Sequence, residues 1–324
     1  MFLFLKIGLP LAGSLLLLGA AAYYYWLYTP LPAEPPLSAN LQAGSLPVGS
    51  RLRTYQAYVP AGLPRHAPLV LVLHGSSQDG ATIRRWTGYE FDELADRHSF
   101  AVLYPDGYQG NWNDCRRDAL FPAKTENIDD VGFLRALVAR FQIEHDVDPG
   151  RVFAFGYSNG GQMAFRLAIE EQRLVTAIAT AGANLPAPAS CSCAPDGPTA
   201  RVLLVAGTAD PISPYAGGPV TLFGFGNRGT AISARATAET FARRNGLTAA
   251  PVATALPHQR ADDATSVEQL VWRRDGQPEV ALYTVRGGGH VVPQPTFRAP
   301  RLVGRTTGDL DAPARAIAFF GLSE

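Results

Sequence analysis

The sequence predicts an α/β domain with a mostly parallel central sheet, helices on both faces and an apolar helix ahead of it at the N-terminus. Two observations carry this reading. Short apolar runs at Pro68–Leu73, Phe100–Tyr104 and Arg201–Ala206 are continuous rather than alternating, as in strands buried on both faces. Between them lie stretches of helical spacing, and buried strands alternating with helices imply a parallel sheet covered on both sides.

Residues 7–28 carry no charge, follow Lys6 and end in Tyr23-Tyr24-Tyr25-Trp26-Leu27-Tyr28. Such a length is about the 20 residues that span a bilayer as a helix, and aromatic rings settle at its interface. Residues 1–28 are therefore expected to be a transmembrane anchor or a signal peptide, cleaved in the latter case near Gly19-Ala20-Ala21-Ala22. Both place the rest of the chain outside the cytoplasm, with the membrane as a partner if the segment stays. Residues 29–50 are rich in Pro, Ala, Ser and Gly, lack an apolar period and read as a linker. The catalytic domain is expected over residues 51–324.

Within it, Arg53–Val59 alternates like an edge strand. Asp129–Phe141 has helical spacing, with Asp129 or Asp130 as cap. Arg151–Phe155 reads as a strand, residues 161–171 as a helix, and Val175–Ala181 as another strand. Ala231–Asn245 reads as a helix closed by Gly246. Gln269–Arg273 and Val280–Val285 form a strand pair through Asp275-Gly276, and Ala312–Phe320 is a closing helix.

Lys plus Arg and Asp plus Glu both number 28, so no basic field exists to grip a phosphate backbone, and nucleic acid is not expected as a partner. The three cysteines, Cys115, Cys191 and Cys193, lack the spacing of a zinc site. In an oxidising compartment Cys115 can bond either of the others; otherwise all three are thiols.

Gly156-Tyr157-Ser158-Asn159-Gly160 is a G-x-S-x-G string between a strand and a helix, the context in which a tight turn lifts a serine hydroxyl above a sheet. A serine hydroxyl needs a base. Of six histidines, His98 and His145 fall on helices or their ends, and His66 and His258 in polar loops. His290 follows Gly287-Gly288-Gly289 after a strand, where the last member arrives in the order Ser, acid, His. Asp210, after the strand beginning at Arg201, is the candidate acid that orients the imidazole. Asp262, Asp263 and Asp275 compete from polar loops or a turn. His74-Gly75-Ser76 ends the first buried strand, so the backbone N–H groups of Ser76 and Asn159 are the candidate oxyanion donors, with His74 a packed histidine. Trp112, as an aromatic wall, and Tyr157 are the candidate substrate contacts; for Trp112 a place in the core or packed in a turn is the equal alternative.

With these residues located, further strings join them: Leu73-His74-Gly75, Tyr104-Pro105-Asp106-Gly107, Asn111-Trp112-Asn113, Asp129-Asp130-Val131-Gly132-Phe133, Gly207-Thr208-Ala209-Asp210-Pro211 and Gly287-Gly288-Gly289-His290. In order and spacing the chain resembles the polyhydroxybutyrate depolymerase and feruloyl or acetylxylan esterase family of α/β hydrolases, including its lipoprotein-like bacterial esterases. The resemblance covers residues 51–324. It implies the α/β-hydrolase fold and a serine esterase acting on polyester or on acyl groups attached to plant polysaccharide, without metal or organic cofactor. Val291-Val292-Pro293 stands where that family commonly carries Trp-Pro. A peptidase or amidase with the same three residues, and a non-catalytic envelope-tethered binding protein on the same scaffold, are the alternative readings.

Overall fold

A computed structural model describes residues 15–193, 200–261 and 263–323. Its strands are β1 (Gln42–Val48), β2 (Arg51–Tyr58), β3 (Leu69–Leu73), β4 (Ala101–Pro105), β5 (Val152–Tyr157), β6 (Ala177–Ala181) and β7 (Arg201–Gly207). A two-residue pair, β8 (Gly218–Pro219) and β9 (Thr230–Ala231), forms a small hairpin. Then follow β10 (Val252–Ala255), β11 (Ser266–Trp272) and β12 (Val280–Arg286). The main sheet runs β1-β2-β4-β3-β5-β6-β7-β12-β11-β10. Strands β4-β3-β5-β6-β7-β12 are parallel; β1 and β2 at one edge and β11 and β10 at the other pair antiparallel.

The continuous apolar runs have the expected physical cause. Every residue of β3, β4, β5 and β6 is buried, and the pleat sends alternate side chains into two separate cores. Leu69, Leu71 and Leu73 join one core with Phe133, Leu134, Phe165 and Phe241, from helices α3 (Asp130–His145), α4 (Asn159–Glu170) and α5 (Ala234–Arg244). Val70 and Val72 join the other with Ile83, Phe91 and Ile317, from α1 (Gly80–Trp86), α2 (Glu90–His98) and α6 (Ala312–Phe320). Here α1 to α6 number, in chain order, the helices of seven residues or more that follow β1; the single helical turn Pro122–Thr125 is left unnumbered. Asp79, Asp129, Ser233 and Asp311 cap the first turns of α1, α3, α5 and α6 by accepting a backbone N–H.

The sheet extends past the expected boundary. Residues 29–50 are not all linker: β1 pairs with Arg51–Ala57 of β2, which is therefore the second strand and not the edge. The run Gln42–Val48 contains Gly44 and Pro47, so its composition hides the strand. Gly44 is where the Tyr55 ring lies, a Cβ there standing 2.4 Å from Cζ, and Pro47 is tolerated because the strand is at an edge. Leu37, Ala39 and Leu41 pack against the second core as well. Of the apolar N-terminal stretch, residues 1–14 lie outside the described residues; residues 15–26 are helical and exposed. Among the described residues no helix is long and apolar enough to cross a membrane.

One packing contact between helices α2 and α6 has a pH consequence. Glu90, only 6% exposed, meets Asp311 at the cap of α6. Burial, then the hydrogen bond to and charge of Asp311, push the Glu90 carboxyl far above the usual carboxylate range. The folded state thus keeps a proton that the unfolded chain releases above the ordinary glutamate pKa, so this contact loses stability as pH rises through neutrality. Glu90→Gln, which cannot ionise, is expected to raise Tm at pH about 8.5 by roughly 2–4 °C for each kcal/mol recovered. Its effect near pH 5 should be much smaller, as read by thermal denaturation at both pH values.

Candidate active site

Strand β5 runs into helix α4 through a turn that only its sequence allows. A Cβ on Gly156 would stand 2.2 Å from the Gly160 carbonyl oxygen, and one on Gly160 would stand 2.2 Å from the Leu73 carbonyl oxygen. Between them Ser158 takes φ 54° and ψ −114°, a strained conformation for a residue with a side chain. Its N–H donates to the Ala181 carbonyl at 2.8 Å, which fixes the turn above the C-terminal end of β6.

The structure brings Ser158, His290 and Asp210 together. Ser158 Oγ is 2.8 Å from His290 Nε2, and His290 Nδ1 is 2.7 Å from Asp210 Oδ2. Asp210 Oδ1 accepts the N–H groups of Ile212 and Ser213, both at 2.8 Å, so the carboxylate cannot turn away. The glycine run before His290 is a packing device. A Cβ on Gly289 would stand 2.2 Å from the Val303 carbonyl oxygen, and His290 N–H donates to that same oxygen at 2.7 Å. The imidazole ends 3% exposed. Of the competing acids, Asp263 is occupied by Thr265 and Gly308, and Asp262 lies outside the described residues.

Ser76 and Asn159, the expected oxyanion donors, lie in the loop after β3 and at the start of α4. Asn159 opens α4, so its N–H has no carbonyl one turn back in the helix. Its side chain is locked: Oδ1 accepts Trp112 N–H at 2.8 Å, and Nδ2 donates to Asp114 Oδ2 at 2.6 Å. The loop carrying Ser76 is held by His74, which is buried and uses both ring nitrogens. Nδ1 bonds the Gly75 carbonyl at 2.7 Å, and Nε2 accepts Gly107 N–H at 2.8 Å. Burial lowers the His74 pKa, keeping a neutral ring in one tautomer.

Two expected substrate contacts are corrected. Trp112 is fully buried, with its indole N–H donated to the His74 carbonyl at 3.0 Å. It has no face left for a substrate and instead ties the loop after β4 to the loop after β3. Tyr157 is also buried; its hydroxyl donates to the His290 carbonyl at 2.9 Å and its ring lies 5.2 Å from the imidazole. It positions the histidine loop.

The narrow cleft at Ser158 is lined by Arg116, Gln162, Gly182, Ile212, Ser213, Val220, Arg228 and His290. Arg116 makes a buried ion pair with Asp114, Nη2 to Oδ2 at 2.5 Å. A disulfide from Cys115 to Cys193 pins this loop, leaving Cys191 as the free thiol. Arg116 and Arg228 fall in irregular loops where no period marks them; only the neighbouring Cys115 hints that the first loop is anchored. A larger hollow between Tyr25, Trp26 and Tyr28 and the loops around Arg260 and Arg301 contains none of Ser158, His290 or Asp210.

A doubly wound sheet with a serine on a strained strand-to-helix turn defines the α/β-hydrolase fold. The solved acetyl xylan esterase from Aspergillus awamori shares that fold, with a TM-score of 0.55 and 17% identity, over 88% of this chain and 100% of that one. The chain belongs to the family described as Esterase PHB depolymerase, whose model matches residues 53–253, and it is an esterase. The "Putative esterase NocK" of Nocardia uniformis subsp. tsuyamanensis is 31% identical over 90% of this chain and 86% of its own length. The Poly(3-hydroxyalkanoate) depolymerase C of Paucimonas lemoignei is 30% identical over 34% of this chain and 26% of its own length.

The geometry makes Tyr157 testable as a positioning residue. Tyr157→Phe leaves the buried His290 carbonyl without its donor, a loss of about 1–3 kcal/mol. A lower Tm is expected, together with a fall of about tenfold in kcat and little change in KM, because misplacing the imidazole affects the reaction step more than binding. Unchanged kcat in steady-state ester hydrolysis would remove Tyr157 from that role.

Proposed function

We propose that the protein hydrolyses carboxylic esters through Ser158 as nucleophile, His290 as general base and acid, and Asp210 as the group that orients and stabilises the imidazolium. The observation that carries this is the continuous hydrogen-bond chain from Ser158 Oγ through both nitrogens of His290 to Asp210. Oγ attacks the ester carbonyl carbon as Nε2 takes its proton, and the N–H groups of Ser76 and Asn159 receive the developing oxyanion. Nε2 then returns the proton to the alkoxide oxygen as the C–O bond breaks, leaving an acyl group on Ser158. Water, deprotonated by the same nitrogen, attacks that acyl group and releases the acid and the free serine.

The substrates we assign are esters of the polyhydroxyalkanoate kind or acyl groups carried on polysaccharide. The motif strings and the named relatives support that class. We also place the domain outside the cytoplasm. The Cys115–Cys193 disulfide favours an oxidising compartment, and the charge-free stretch at residues 7–28 has the composition of an export segment.

Ser158→Ala is expected to lower kcat on a short-chain para-nitrophenyl ester by several powers of ten, on the order of 10³ to 10⁶. The residual rate comes from the oxyanion donors, and circular dichroism should show an unchanged fold. Wild-type turnover in this variant would eliminate the proposal.

A further inference from the structure

A positive charge stands in the cleft without a partner that the ester chemistry explains. Arg228 lies at the foot of the loop between β8 and β9 and forms part of the wall around Ser158. It is half-buried, and among the described residues its side chain makes one hydrogen bond, from Nη1 to Ser76 Oγ at 2.7 Å. Among the described residues no carboxylate lies within ion-pairing distance of it. Asp118 sits beside the adjacent Gly229, with Oδ2 3.7 Å from where a Cβ on that glycine would stand, and makes no ion pair with the guanidinium.

The other charges of the wall do not neutralise it. Asp114 is already shared between Arg116 and the Asn159 amide, so that pair sums to zero and Arg228 remains in excess. Burial, then the nearby Arg116, lower the Arg228 pKa, and the charge of Asp114 offsets them only in part. Independently, Ser213 is 6% exposed and its hydroxyl has no hydrogen-bond partner among the described residues, although its residue is part of the same wall. A buried polar group left unmatched in a cleft points to something that fills it. Gln162 adds an unmatched acceptor, Oε1, while its Nε2 donates to the Asn184 carbonyl.

We propose that Arg228 and the Ser213 hydroxyl form an anion subsite beside Ser158, so that the preferred substrates are esters carrying a carboxylate a few atoms from the scissile carbonyl. A guanidinium with free N–H groups and a hydroxyl donor suit the two oxygens of a carboxylate. Gln162 Oε1 takes a hydroxyl or amide N–H on the same molecule. Because Arg228 also holds Ser76 Oγ, the anion is sensed next to a candidate oxyanion donor. The subsite rests on the serine-esterase reading above and narrows its substrate class.

Two substrate pairs test it: para-nitrophenyl hemiglutarate against para-nitrophenyl valerate, with the charge on the acyl side, and O-acetyl-lactate against O-acetyl-lactamide, with the charge on the alcohol side. In at least one pair the wild-type enzyme should favour the anionic member through KM. Arg228→Gln should lower that pair's anionic-to-neutral ratio of kcat/KM by about tenfold or more, with partial recovery in Arg228→Lys. Without any variant, glutarate should inhibit hydrolysis of the neutral ester competitively, and less strongly as salt is raised. Equal effects of Arg228→Gln on both members of both pairs, or no inhibition by glutarate, would overturn the subsite. Titration calorimetry of glutarate with the intact protein needs no turnover, so a failure of the Ser158 reading shows as active Ser158→Ala and is read separately.

Discussion

The contact on which the site depends is the approach of helix α4 to the end of strand β3. The turn at Gly156–Gly160 packs backbone against backbone, with the Leu73 and Gly160 carbonyls where side-chain carbons would otherwise stand. This closeness has two effects at once. It bends the chain so sharply that Ser158 is held at φ 54° with its hydroxyl above the sheet. It also sets the first turn of α4 against Leu73 and His74, where the loop that carries Ser76 begins. Strain of this kind persists only where the surroundings over-determine it. Here they include the Ser158 N–H bond to β6 and ten strands of paired backbone.

Everything else in the site is brought to that point by the ends of parallel strands. Ser76 follows β3, Ser158 follows β5, Asp210 follows β7 and His290 follows β12. Ligands in open α/β sheets bind at the carboxyl ends of strands for this geometric reason. Beneath them lies a buried polar layer. Asn113 N–H donates to Asp130, Arg53 pairs with the other oxygen of Asp130, Trp112 donates to the His74 carbonyl and Asn159 donates to Asp114. Trp112 joins the loop after β4 to the loop after β3, Asn159 and Asn113 join that first loop to the starts of α4 and α3, and Arg53 ties α3 to β2. A network of this kind sets loop positions at the price of burying charge, and removing one member leaves the others exposed to the desolvation penalty.

Much of this was legible because its physical causes are local. Continuous apolar runs mark β3, β4 and β7, since burial on both faces leaves no room for alternation. Gly156 and Gly160 are readable because no other residue fits, and Asp129 is readable as the cap of α3. The motif strings around Asn111 and Asp129 are distant in sequence yet meet through Asn113 and Asp130, so their joint presence was informative where either alone was weak. The misses have causes that sequence spacing does not encode. Strand β1 is stabilised by its partner β2 and by the Tyr55 ring over Gly44, not by its own composition. Helix α1 has no sequence reading, and α2 is marked only by His98 at its end, because positive φ at Tyr89 and Ser99 bounds α2 where no cap signal announces it. Trp112 and Tyr157 were misread as substrate contacts because an aromatic residue in a motif has the same letter whether it faces a cleft or a core. Arg228 sits in a loop, and its excess charge emerges only once Asp114 is seen to be occupied.

The central claim is that one hydroxyl, made nucleophilic by one imidazole, does the chemistry. It is tested most directly by treating the folded protein with a fluorophosphonate ester and mapping the adduct by peptide mass spectrometry. The account predicts one adduct per chain, on Ser158, formed in step with loss of esterase activity and greatly slowed in His290→Gln. An adduct on another residue that accompanies the loss of activity, or full activity in protein labelled at Ser158, would contradict it.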